Sequence, residues 1–221
     1  ITQLTNDPAH DIMPSISPDG QRVAFCSNRT GSWDIFVMSA HGGQAVQLTA
    51  DSAQELHPSW SPDGKRLVFC KLGQISNRWE LWVTDVNNGA SAEFIGFGMF
   101  PEWCPVAGTG ESRTDKIVFQ RGRERGDRAF SLWTVDYKPG MVSAPTEIIP
   151  GQQAAAINPT WSPDGQWIAY STVKIGMDGR QASDVWCAAA DGSASVNLTS
   201  GMASNLSPYW GRDGRVYFVS D

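Results

Sequence analysis

The chain has 221 residues, 41% hydrophobic and 18% charged, with 10 Trp, 22 Gly and 13 Pro, a composition of strands and turns that excludes a disordered or helix-dominated chain. A formal net charge of -6 and a pI near 5.0 argue against a general nucleic-acid binder, whose phosphate contacts need clustered Lys and Arg. No apolar run approaches the roughly 18 residues of a membrane-spanning helix.

The chain opens on Ile1-Thr2-Gln3-Leu4-Thr5, with neither an initiator Met nor a signal-like segment, so it is expected to be a piece of a longer protein. Those five residues repeat the pattern of Val46-Gln47-Leu48-Thr49 and Val196-Asn197-Leu198-Thr199, which end later hydrophobic segments. Residues 1–5 are therefore expected to form a closing outer strand.

The next signal is Ile16-Ser17-Pro18-Asp19-Gly20. It returns as Trp60-Ser61-Pro62-Asp63-Gly64 and Trp161-Ser162-Pro163-Asp164-Gly165, and in altered form as Trp210-Gly211-Arg212-Asp213-Gly214. Pro presets the first corner of a type I turn, Asp accepts hydrogen bonds from the amides that follow it, and Gly supplies a left-handed residue. Each copy is thus a hairpin turn. A further copy keeps only its start, Pro101-Glu102-Trp103, and continues as Cys104-Pro105-Val106-Ala107-Gly108.

The prolines Pro14, Pro58, Pro101, Pro159 and Pro208 mark the repeats, spaced by roughly 40–60 residues, the period of propeller blades. After each turn comes a second hydrophobic segment (Arg22–Cys26, Arg66–Cys70, Lys116–Phe119, Trp167–Tyr170, Arg215–Phe218). A third follows (Asp34–Met38, Glu80–Val83, Ser131–Thr134, Asp184–Cys187), then Gly-containing turns, then a fourth (Val46–Thr49, Glu93–Ile95, Glu147–Ile149, Val196–Thr199). Each repeat reads as a four-stranded antiparallel meander. The expected fold is all-β, a propeller with about four and a half blades in this chain. The repeats cover approximately 6–49, 50–96, 97–149, 150–199 and an incomplete 200–221 of one domain.

Trp60, Trp103, Trp161 and Trp210 form one column, and Trp82, Trp133 and Trp186 another, as the packing of successive twisted sheets demands. Cys26 and Cys70 hold the same slot in successive repeats, and Gln120, Ser171 and Val219 hold it elsewhere. Such residues lie too far apart for a disulfide, and free thiols are expected.

These residues resemble the repeat of the TolB-type β-propeller, Pro-x-Trp-Ser-Pro-Asp-Gly followed by a hydrophobic strand, Ser-Asn-Arg, Asp-Ile-aromatic-Val, a Gly turn and Leu-Thr. Pro58 to Gly64 and Ser27-Asn28-Arg29 to Met38 match it closely. The resemblance implies part of a six-bladed ring and a non-catalytic module of the bacterial envelope or cell surface, periplasmic or extracellular. Its partner would be a protein or peptide, such as an envelope lipoprotein. Similar propellers also gate substrate access in prolyl-oligopeptidase-type serine peptidases, which is the alternative. A glycan- or small-molecule-binding propeller using Trp33, Trp79 and Trp167 is a third.

In a meander, the loops from strand two to three and the segments leading into strand one share an end, and the uniform hairpins lie opposite. Function is expected at the irregular end. Arg121, Arg123, Arg125 and Arg128 form a local basic patch there, interleaved with Glu124 and Asp127. Three residues before the marker prolines stand Asp11, Glu55, Gly98, Ala156 and Asn205, and one residue before them Met13, His57, Phe100, Asn158 and Ser207.

Asp11, Glu55, His57, Asn158 and Asn205 are the candidate binding residues at the channel mouth, with the four arginines. Asp11, Glu55 and Asn205 have the oxygen chemistry for a channel-bound calcium ion, but the acids do not recur on every repeat, and a polar channel with no cofactor is the preferred expectation. No Gly-x-Ser-x-Gly elbow, zinc-spaced Cys/His cluster or phosphate-binding Gly loop occurs. No catalytic residue is assigned.

Overall fold

The computed structural model describes residues 3–122, 130–151, 154–175, 181–201 and 203–221. The chain divides into two compact units, Ile1–Trp103 and Cys104–Asp221.

In the first unit β1 (Asp11–Ile16), β2 (Arg22–Ser27), β3 (Asp34–Ser39) and β4 (Val46–Gln47) pair in sequence order as one four-stranded sheet. A second sheet follows in the same order, β5 (Glu55–Trp60), β6 (Arg66–Leu72), β7 (Trp79–Asp85) and β8 (Asn88–Phe97), and β9 (Met99–Trp103) ends the unit. Every pairing is antiparallel, so the meander expected from the turn chemistry is what forms.

The second unit contains β10 (Asp115–Gly122), β11 (Phe130–Lys138), β12 (Met141–Val142) and β13 (Thr146–Ile149), with β10, β12 and β13 all paired to β11. Its next sheet is β14 (Ala155–Trp161), β15 (Trp167–Ile175), β16 (Gln181–Ala189) and β17 (Ser195–Asn197), and β18 (Asn205–Trp210) pairs with β19 (Val216–Ser220). The third-repeat turn, which lacks the hairpin signal, still closes with Cys104 N donating to Lys116 O at 2.9 Å, the same register as Ser17 N to Arg22 O. Its longer loop is held instead by Asp136, which accepts from Glu111 N (2.8 Å) and pairs with Lys116 Nζ (3.0 Å).

Two boundaries differ from the sequence reading. Gln3, Leu4 and Thr5 belong to no strand, and the Gln3 amide donates locally to Thr5 O (2.7 Å), while Ile1 and Thr2 lie outside the described residues. The fourth strand of the first repeat stops at Gln47, because Thr49 turns inward to accept from Ile35 N through its hydroxyl (2.9 Å).

Alternation along the strands buries Ala24, Cys26, Ile35, Trp60, Leu67 and Phe69 together in the first unit, with Trp82 packed against them. In the second unit Cys104, Val118, Leu132, Trp161, Ile168 and Tyr170 share one core. Burying a large aromatic side chain contributes at most roughly 4–6 kcal/mol, so the Trp columns account for much of the sheet packing. Three indole N–H groups find acceptors, Trp60 on Ser15 O of the preceding repeat (3.0 Å), Trp82 on Glu80 (3.0 Å) and Trp133 on Ser131 (2.9 Å), while the buried Trp186 Nε1 has none among the described residues. All four cysteines are free and buried.

Candidate functional site

At the hairpin end of the sheets the polar groups are committed to their own turns. Ser17 Oγ donates to Asp19 Oδ1 (2.5 Å), the same carboxylate oxygen accepts from Gln21 N (3.0 Å), and Arg22 N donates back to Ser17 Oγ (2.9 Å). Ser61 with Asp63, and Ser162 with Asp164, repeat this arrangement within 0.1 Å. Hydrogen bonds from Ser17 and from Gln21 N hold the Asp19 carboxyl below its ordinary range. For Asp63, burial pushes upward but the Ser61 hydroxyl and Lys65 N–H outweigh it.

The opposite end is strained and irregular. Met13, His57, Phe100, Asn158 and Ser207, each the residue before a marker proline, all have φ between 50° and 57°. Left-handed backbone at non-glycine residues costs roughly 1–3 kcal/mol each, so tertiary contacts must hold it. The strain accompanies a bulge: pairing slips between Ile12 and Ser15, Leu56 and Ser59, Ile157 and Thr160, and Leu206 and Tyr209. A bulge re-aims the side chain that it carries.

The slot held by Cys26, Cys70 and Gln120 explains how three of the bulges are anchored, whereas Ser171 Oγ in the same slot is buried without a partner among the described residues. The His57 N–H is directed at the Cys26 thiol and the Phe100 N–H at the Cys70 thiol, while Asn158 N donates to Gln120 Oε1 at 3.0 Å. Desolvation pushes both thiols up to about 12, so they remain protonated.

The sequence-predicted residues separate in character. Asp11 is neutralised by Arg29 (2.9 Å), and although burial acts against it, the Ser27 hydroxyl and then Arg29 hold its carboxyl low. Glu55 is buried, and desolvation, reinforced by the negative charge of Asp34, pushes it up to about 7 against a hydrogen bond from Thr49. The His57 ring packs on Phe100 with centroids 3.7 Å apart at 45°. Burial pushes its imidazole down to about 4, leaving it neutral, and its nitrogens have no hydrogen-bond partner among the described residues.

In the second unit Asn205 is buried and donates to Ala203 O (3.0 Å), and Arg121 lies 5.3 Å over the Trp133 ring. Arg123, Arg125 and Arg128 lie outside the described residues. Trp33 and Trp79 are half-buried, so Trp167 alone of that trio offers an exposed ring. Among the described residues no three of His, Cys, Asp and Glu converge as metal ligands.

Sequence reasoning missed Asp34, which heads β3 and is 1% exposed. Its Oδ2 accepts from Thr30, Ser32 (3.1 Å) and Gln47 (3.2 Å). Asp184, within β16, holds the equivalent place in its repeat, accepting from Asn197 (3.2 Å), Thr199 (3.0 Å) and Gly201 N (2.7 Å). The signal was present in the recurrence of Asp at the head of the third strand with Leu-Thr at the end of the fourth.

The profile of the TolB beta propeller domain matches residues 1–103. The fold is that of a TolB-type β-propeller. The protein described as the TolB of Agrobacterium tumefaciens superposes with a TM-score of 0.71 at 20% identity, covering 93% of this chain and 73% of that one. TolB from Acinetobacter baumannii gives 0.72 at 18% identity over 96% of this chain, which spans only 49% of that protein. The β-propeller domain of the Trilobed protease from Pyrococcus furiosus gives 0.59 at 16% identity, over 96% of this chain and 64% of that one. No curated protein matches the sequence.

Placed on the TolB-type repeat, the Ser-Pro-Asp-Gly turns are the repeat's constant hairpins. The bulged residues His57 and Phe100 sit at the other end of the strands that lead into them.

Proposed function

We propose that this TolB-type propeller is a non-catalytic protein- or peptide-binding module of the bacterial envelope or cell surface, periplasmic or extracellular, which takes its partner at the irregular ends of its sheets. The observation that carries this reading is the His57–Phe100 pair: a neutral imidazole with unused nitrogens, stacked at 3.7 Å on an aromatic ring and presented by strained backbone. Such a pair offers a hydrogen-bond donor and acceptor beside an apolar surface, which suits peptide backbone and side chains. The hairpin end has its serine hydroxyls and carboxylates engaged internally. No helix among the described residues is long and apolar enough to cross a membrane.

Calorimetric titration against the soluble domain of an envelope lipoprotein tests the reading. Phe100→Ala is expected to weaken binding at least about tenfold, as an aromatic anchor does, and Asp164→Asn to leave it unchanged. Binding indifferent to Phe100→Ala and His57→Ala overturns it. The alternative, a gating propeller of a serine peptidase, is favoured by the likeness to the Pyrococcus furiosus protease propeller and to puromycin hydrolase (TM-score 0.61, 16% identity, 34% of that chain). In that reading the chemistry lies in another domain.

A further inference from the structure

Among the described residues the outer strands of the sheets differ in how they treat their free edge. β4 has two residues and β17 three, and the outer side of β11 is divided between the short strands β12 and β13, with Pro145 between them. Short or proline-broken edges offer little for another chain to pair with. β8 instead runs for ten residues, Asn88–Phe97, pairs on one side with β7 and ends its sheet. Its sequence contains no proline and a single charge, Glu93.

The register shows what lines that edge. Phe94 is paired with Trp82 and Val46 with Val37, and both Trp82 and Val37 pack against the one core shared by the first two sheets. Side chains directly opposite one another in an antiparallel pair lie on the same face, so the two surfaces that meet in this core end at the rim in Phe94 and Val46. These are 43% and 65% exposed. The rings are fixed by one another: Trp82 and Phe94 meet edge to face at 5.6 Å, Phe94 and Phe97 at 5.2 Å, and the exposed Arg78 lies 4.0 Å over the Phe97 ring. A bulge at Ile95 buries that residue and brings Phe94 and Phe97 onto one face.

We propose that β8 takes an extended segment of a partner protein as a fifth strand, with an apolar side chain over Phe94 and an acidic one toward Arg78. β7 shows the pattern from the other side: Trp82 stands opposite Phe94, and Glu80, two residues earlier, stands opposite Phe97. An antiparallel segment with the same acidic-x-apolar spacing meets the same two rings, and its carboxylate meets the cation at their end.

A second copy of this chain is the poorer occupant. An edge about 33 Å long and about 10 Å thick covers roughly 300 Å² on each partner, far short of the roughly 800 Å² per partner of a stable dimer. A flexible segment gains the ladder hydrogen bonds of the same edge and wraps its side chains into the rim. β8 lies at the opposite edge of its sheet from β5, which carries His57, so this contact is independent of the His57–Phe100 pair.

The probe is a synthetic peptide, Ser-Thr-Glu-Thr-Val-Thr-Val-Thr, titrated into isotopically labelled protein and followed by amide NMR and hydrogen exchange. The Ser91, Ala92 and Phe94 amides should shift, and exchange of the β8 amides that face away from β7 should slow at least about tenfold at saturation, as they become paired. Placing Pro at the first Val of the peptide, which removes a ladder donor, should weaken binding at least about tenfold. Replacing the peptide Glu by Lys should weaken it about threefold, and Phe94→Ser in the protein at least about fivefold. Shifts confined to other surfaces, or equal affinity for the Pro peptide, overturn the proposal. A sedimenting dimer whose β8 amides are already slowed without peptide overturns it in favour of a second copy. The peptide variants decide alone if Phe94→Ser does not fold.

Discussion

The backbone N–H of Asn158 donates to the side-chain oxygen of Gln120 across 3.0 Å, joining the left-handed residue of β14 to the β10 strand of the preceding repeat. Gln120 is 3% exposed, so no water replaces that acceptor at low cost. Gln120→Leu should destabilise the protein by about 1–3 kcal/mol, the cost of a buried donor left unmade. Urea denaturation with an unchanged m-value checks it.

The hairpin lock gives a second expectation. Ser61 is buried and both donates to Asp63 and accepts from Arg66 N. Ser61→Ala removes both bonds and should cost about 1–2 kcal/mol. Ser61→Thr, which keeps the hydroxyl, should cost less. Equal losses in thermal unfolding would assign the effect to packing instead.

Ser207 is the one bulge residue with an exposed side chain, at φ 53°. Replacing it by Gly removes left-handed strain of roughly 1–2 kcal/mol against a chain-entropy cost of about 0.5–1 kcal/mol. Ser207→Gly should therefore be slightly more stable than wild type and Ser207→Val less stable, and the sign of the shift in denaturation midpoint decides.

His57 sets the acid limb of stability. Its folded-state value is depressed to about 4 from an ordinary 6.5, so the unfolded chain binds more protons between those values. The contribution is complete above pH 6.5 and is lost as pH falls toward 4. His57→Phe, which retains a ring against Phe100, should flatten denaturation midpoints across that window.

The alkaline limb runs the other way. Glu55 and Glu102 are both pushed up to about 7 from 4.5, chiefly by burial, so the folded chain holds more protons between those values. Stability should fall as pH rises from 4.5 through 7. Glu102→Gln should remove part of that fall, leaving the Glu55 part; an unchanged slope would show that Glu102 titrates normally.

The hairpins were legible because their chemistry is local: Ser, Pro, Asp and Gly within one turn specify both its shape and its bonds. Strand ends were less legible: β15 and β16 continue pairing past the hydrophobic residues that marked them, while β4 stops short of Thr49 and residues 3–5 form no strand. The Cys26, Cys70 and Gln120 column was visible as a slot with varied fillers. Its purpose was not, because each filler serves an amide in the following repeat, and periodicity aligns equivalent residues without revealing their neighbours. The same limit hid Asp34, whose negative charge acts on Glu55 of the next repeat. Among the predicted residues, the structure sets Arg121 over the Trp133 ring and Asp11 onto Arg29, while the His57 nitrogens and Glu55 Oε2 have no hydrogen-bond partner among the described residues.

The Ser17–Asp19–Arg22 lock has a consequence for how the chain reaches its fold. Every bond in it closes within a few residues, so it forms at small loop-closure cost, before any sheet has found its neighbour. Three copies of this lock give the nascent polypeptide pre-set reversal points at regular intervals. The slow search is then left to the docking of one finished hairpin against the next, where the strained bulges must find their anchors.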